Sequence, residues 1–152
     1  MCGASVATAE QARLAYQCGE LLAQRGVTVV NGGLGGVMAA CAQGVRDRGG
    51  TCVGLLPGDD SDDADAAVTI ALATGLGELR NALIARVSDG LIAIGGGWGT
   101  LSEVAFAMRI GRRVALLDSW ELRAPGGEQA SPLLHRAAEP GDAVAWVLSD
   151  AR

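Results

Sequence analysis

Five short apolar runs, VTVV (27–30), TCVGLL (51–56), VTIAL (68–72), LIAI (91–94) and RVALL (113–117), alternate with stretches of helical spacing. A parallel strand covered on both faces reads as an unbroken aliphatic run, and its parallel neighbour is reached through a crossover, usually a helix. The alternation therefore predicts an α/β chain: a doubly wound, mostly parallel sheet with helices on both faces. At 152 residues the chain is expected to form a single domain, 1–152.

Local signals punctuate this plan. Thr8 and Gln11 have capping-box spacing and open a helix reaching Arg25, with Gly26 as its stop. A second helix follows NGGLGG and runs to about Arg48, a third carries Arg80 and Asn81, and a fourth follows GGGWGTLSE and ends near Gly111. After a Gly/Pro-rich loop near 125–127, a short apolar stretch and a helix at roughly 142–150 complete the plan. The first element is short for such a sheet: only Met1 and Cys2 precede Gly3. The first strand is read as truncated, with two explanations: a natural start upstream, which is favoured, or a sheet lacking most of a central strand.

Charge and composition narrow the function classes. A net charge of −5 and a pI near 4.7 argue against a nucleic-acid polymer or an anionic membrane as partner. No apolar run reaches membrane-spanning length and no basic-then-apolar leader opens the chain, so a cytoplasmic protein is expected. All twelve basic residues are arginine. Without lysine there is no pyridoxal-phosphate Schiff base and no Walker A loop. Cys2, Cys18, Cys41 and Cys52 lack C-x-x-C spacing and read as reduced core thiols. A lone His135 builds no zinc site, and five aspartates between Asp59 and Asp65 lack the glycine and distal glutamate of a calcium loop. No metal is expected.

Two glycine-rich turns, Gly32–Gly36 and Gly95–Gly99, each join a strand end to a helix start. Free backbone N–H groups and the positive end of the helix dipole make such turns anion sites, and missing side chains let a phosphate reach the main chain. With parallel strands both turns fall on the carboxyl edge, where doubly wound folds hold ligands. Neither is a dinucleotide fingerprint, because G-x-G-x-x-G fails at Met38 and at Thr100. The expected partner is a small phosphorylated ligand.

GGGWGTLSE resembles the P-G-G-x-G-T-x-x-E motif of the Lonely Guy (LOG) family, also labelled "lysine decarboxylase-like", and NGGLGGVM resembles its G-G-G-x-x-G-L-M loop. GLGELRNALI matches the segment in which that family carries an arginine–lysine pair. Order and spacing are kept along nearly the whole chain from Gly3. The resemblance implies a Rossmann-like homodimer that cleaves the N-glycosidic bond of a nucleoside 5′-monophosphate. It implies phosphate binding by Gly96, Gly97, Gly99 and Thr100, a reactive pair in Arg80 and Glu103, and a facing loop lined by Gly32, Gly33 and Gly36. Gly95 replaces the family's proline and Asn81, in the ligand set, replaces its lysine. These forms are closer to the branch holding molybdenum cofactor carrier proteins, thought to bind a pterin phosphate. The primary reading is thus a nucleotide- or phosphorylated-ligand-binding protein, carrier-like, with no required cofactor and a molybdopterin-type molecule as a candidate ligand. The alternative is a nucleoside-monophosphate phosphoribohydrolase.

Several residues keep two readings. Thr100 to Glu103 fits a capping box, with Thr100 as N-cap, as well as a ligand site; near a helix N-terminus the carboxylate is expected to have a lowered pKa. Trp98, between glycines, reads as a platform for a ring or as a rim or dimer contact. Asp118, just past a strand end, is a further candidate carboxylate for the same cleft, a placement the sequence does not fix.

Overall fold

A computed structural model describes residues 1–126 and 131–149. Gly127 and Asp150, which fall in the loop and the last helix expected above, lie outside these residues. The described elements are β1 (Cys2–Gly3), α1 (Ala9–Gln24), β2 (Val29–Asn31), α2 (Val37–Asp47), β3 (Cys52–Leu56), β4 (Ile70–Ala73), α3 (Arg80–Val87), β5 (Gly90–Gly95), α4 (Trp98–Arg109), β6 (Arg113–Ser119), β7 (Leu134–Arg136) and α5 (Pro140–Leu148). Short 3₁₀ turns, Ser61–Asp63 and Gly77–Leu79, precede β4 and α3.

Every described strand pair is parallel. The order is β4-β3-β2 in one sheet and β1-β5-β6-β7 in the other. The Met1 amino group donates to Val30 O at 2.9 Å, joining β1 to β2. Helices α1, α2 and α5 pack on one face around Cys18, Val37, Cys41, Val45, Ile94 and Val144. Helices α3 and α4 cover the other around Ile84, Leu91, Ala93, Val104 and Val114. This is the doubly wound, Rossmann-like plan the strand runs predicted, and its first strand has only two residues. Because α1 carries the chain from β1 leftward to β2 while β5 lies to the right of β1, the carboxyl ends of β1 and β5 form the switch point where such folds bind ligands.

Local rules account for the boundaries. Thr8 caps α1 through a complete capping box, Gln11 N to Thr8 Oγ1 at 3.1 Å and Thr8 N to Gln11 Oε1 at 3.2 Å. Gly26 ends it with φ 69°. The β5–β6 ladder slips one residue at Ile94/Gly95, and Asp118, with φ 46°, is the residue left over. Asp118 accepts from Gln11 Nε2 at 3.1 Å and faces a depression beside Arg13 and Glu139 on the α1 side, away from the α3–α4 side.

The four cysteines are free and buried. His135 bonds Asp142 (Nε2 to Oδ1, 2.8 Å) and packs on Trp146, which is a structural role. The aspartate loop is exposed, and among the described residues no His/Cys/Asp/Glu cluster has a metal-binding arrangement. No described helix is long and apolar enough to cross a membrane.

Candidate functional site

A cleft of about 400 Å³ opens at the carboxyl ends of β1 and β5, bounded by the loop after β1, the start of α3 and the first turn of α4. Its charged groups are Arg80, Glu103 and Glu78. A more apolar cavity of about 330 Å³ lies at the opposite edge of the sheet, between Leu22, Val30, Val87 and Leu148, and is lined by none of the motif residues. The carboxyl-edge cleft is the functional candidate, because among the described residues it is where the glycine turn, a buried cation and a buried carboxylate converge.

Helix α4 begins at Trp98, with Gly97 as an N-cap that provides no side-chain bond. The first amide to donate within the helix is Leu101 N, to Gly97 O at 3.1 Å. The amides before it have no intrahelical acceptor, the arrangement that favours an anion. Gly95 and Gly96 turn the chain into this helix with φ 60° and 128°. Proline is locked near −65°, so Gly95 could not be proline in this turn. Gly97, Gly99 and Thr100 line the cleft, whereas Gly96 sits behind it against the Thr100 side chain.

The inward face of α4 carries Thr100, Glu103, Val104 and Ala107, spaced at one-turn intervals. Thr100 is therefore the third helical residue and not the N-cap, so the expected capping box does not form. Glu103 instead reaches the Cys2 thiol of β1 and is only 6% exposed. The expected lowering of its pKa is overturned as well. Burial pushes the carboxyl up to about 7, with the charges of the Met1 amino group and Arg80 pulling the other way. Desolvation outweighs the dipole because Glu103 lies more than a turn inside the helix, beyond the reach of the terminal amides.

Arg80, the first residue of α3, is 8% exposed, and its Nε is buried without a hydrogen-bond partner. Desolvation lowers its pKa, and the charge of Glu103 opposes that. Its guanidinium fits because residue 32 is glycine: a β-carbon there would overlap Arg80 Nη1 and crowd Met38 Sδ. Asn81 is committed to the turn, donating through Nδ2 to Ser102 Oγ at 3.1 Å and to Gly99 O at 3.4 Å.

The Gly32–Gly36 loop serves the site indirectly. Gly32 and Gly33 are buried and Gly36 is the N-cap of α2, while Leu34 and Met38 supply its surface in the cleft. The loop is held by a residue the motif reading missed. Asn31, fully buried, accepts from Gly33 N (2.8 Å) and donates to Met38 O (3.0 Å). An asparagine directly before two glycines is an Asx-turn signal. Ser5, which lines the cleft, and Trp120, which packs on Trp98, were also missed; nothing in their local sequence connects them to it.

A Rossmann-like protein with a candidate cleft at the switch point is the class that fold and site define. The chain belongs to the SLOG cluster4 family, whose model matches residues 1–144. It is 33% identical to the molybdenum cofactor binding protein of Rippkaea orientalis, with a TM-score of 0.85 over 97% of this chain and 93% of that one. It is also 33% identical to the molybdenum cofactor carrier protein of Chlamydomonas reinhardtii, at 0.80 over 99% and 96%. A cytokinin riboside 5′-monophosphate phosphoribohydrolase of Arabidopsis thaliana is 34% identical over 87 residues, 56% of this chain and 38% of that protein. The match thus spans less than half of that relative's length.

Proposed function

We propose that the cleft binds a small phosphorylated heterocyclic ligand, with the phosphate on the first-turn amides of α4 and on Arg80, in a carrier or binding role. The observation that carries this reading is the buried Arg80 guanidinium with an unpartnered Nε at the mouth of a helix N-terminus. A buried cation left unpaired is costly, and an anionic ligand supplies the missing acceptors. The likeness to molybdenum cofactor binding and carrier proteins along nearly the full chain supports a pterin-phosphate class. Isothermal titration with AMP and neopterin monophosphate tests it. Binding that falls at least ~10-fold in Arg80→Met supports the reading, and binding indifferent to that change refutes it.

A second reading, N-glycosidic cleavage of a nucleoside monophosphate, is favoured by Glu103. Freed from any capping role and with a pKa near 7, it is poised to exchange a proton or to face positive charge at the sugar. Incubation with AMP at high protein concentration, monitoring free adenine and ribose 5-phosphate, tests this; no release refutes it.

Assembly as a homo-oligomer belongs to the same proposal. Ile70, Leu72, Leu76 and Leu79 are large apolar side chains exposed on β4 and in the segment leading to α3, with Leu79 at 73%, the kind of surface oligomers cover. Light scattering coupled to gel filtration reads the mass directly, and a monomer at all concentrations refutes it.

A further inference from the structure

The chain has three tryptophans, one tyrosine and one phenylalanine; one tryptophan lines the cleft and packs on a second, Trp120, outside it. Trp98, the first residue of α4, lines the cleft yet is 79% exposed. Its ring lies 5.6 Å from that of Trp120, tilted by 37°, within the range of favourable aromatic pairs. Trp120 directly follows β6, whose last residue is anchored to the glycine turn by Ser119 Oγ donating to Gly95 O at 2.6 Å. The contact therefore braces Trp98 against the sheet end. Space beside it is open: a β-carbon on Gly97 would meet nothing within 4 Å, and one on Gly99 only Asn81 Nδ2. A large, rigid, exposed aromatic with two small neighbours, one turn-start away from free helix amides, is suited to stack a flat ring while those amides hold a phosphate.

We infer that Trp98, braced by Trp120, is the platform for the ligand's ring system, and that it makes the site favour a monophosphate bearing a flat heterocycle over one without a ring. The inference rests on the phosphate-site reading above and adds the ring. The sugar or linker spans from the α4 amides to the rim, and the indole face takes the ring through stacking, which tolerates purine and pterin alike. Bracing before the ligand arrives reduces the ordering that binding requires.

The test titrates the full chain with three probes: ribose 5-phosphate, AMP and neopterin monophosphate. Calorimetry gives affinity and tryptophan emission reports ring contact. One or both ring-bearing probes are expected to bind roughly 5- to 150-fold more tightly than ribose 5-phosphate and to quench emission, the range seen for base–aromatic stacking. Which of the two binds tighter identifies the ring. In Trp98→Ala that advantage collapses while ribose 5-phosphate affinity holds, and Trp98→Phe recovers part of it. Ring-bearing probes binding no better than ribose 5-phosphate overturn the platform and leave the phosphate site standing. So does a Trp98→Ala variant that shifts the oligomeric mass while leaving all three affinities unchanged, since Trp98 then belongs to a subunit contact. No binding of any probe overturns both readings.

Discussion

Glu103→Gln is expected to stabilise the ligand-free protein, increasingly as pH rises from about 4.5 to 7. The carboxyl is 6% exposed and burial pushes its pKa from 4.5 to about 7. In the unfolded chain the group ionises near 4.5, so between about pH 4.5 and 7 the folded state holds a proton that the unfolded state has released. Stability from this group is therefore fully present below pH 4.5, is lost progressively between about pH 4.5 and 7, and is gone above 7. At 1.36 kcal/mol per unit, the loss reaches about 3 kcal/mol on the alkaline plateau, an upper figure for a buried group that relaxation reduces. Glutamine keeps an oxygen for the Cys2 thiol and never ionises, so the variant escapes the loss. Urea melts of both proteins from pH 3.5 to 8.5 measure the difference. It should be near zero below about pH 4, grow between about pH 4.5 and 7, and level off above about 7.5. The other shifted acids, Glu10, Glu121 and Asp142, are lowered and common to both chains, so they cancel. A variant less stable than the parent at pH 8.5, or a difference independent of pH, would refute the burial argument.

Other substitutions probe the scaffold and the site separately. Arg80→Met in the ligand-free protein should leave stability unchanged or raise it, because a poorly partnered buried guanidinium is replaced by apolar volume, while ligand affinity is lost; a clear fall in the melting temperature would contradict this. Gly32→Ala should displace Arg80 and weaken phosphate-ligand binding nearly as much as Arg80→Met, with a stability loss of about 1–3 kcal/mol by calorimetric melting. Gly44→Ala should destabilise by a similar ~1–3 kcal/mol without changing affinity, since its β-carbon would overlap Tyr16 O where α1 and α2 cross.

Much of the architecture could be read from the chain because buried parallel strands have little choice but to be aliphatic. LIAI and RVALL became β5 and β6 with slightly wider bounds, and the Thr8–Gln11 box formed as read. The site was legible as backbone and not as side chains. Glycine spacing marked the α4 turn, but the helix starts two residues before Thr100, because a glycine N-cap with free amides leaves no capping letter to read. That shift put Glu103 on the buried stripe and reversed its expected pKa. The partners that define the site, Cys2 with Glu103, Gly32 with Arg80 and Trp120 with Trp98, are all distant in sequence, so no local pattern announces them. Asn31 is the exception: its place before Gly-Gly carried the turn signal.

The central claim is that the α4 turn and Arg80 together hold a phosphate. Two-dimensional ¹H–¹⁵N spectra of the labelled chain, recorded while AMP or neopterin monophosphate is added, address it directly, since the Arg80 Nε–H and the backbone amides each give their own signal. Saturable shifts are expected, concentrated at Arg80 Nε–H and at the amides of Trp98, Gly99 and Thr100, together with slowed exchange of the Arg80 proton as it gains an acceptor. Shifts confined to the apolar cavity around Leu22, Val30 and Val87, or an Arg80 Nε–H that ignores a ligand bound elsewhere, would contradict it.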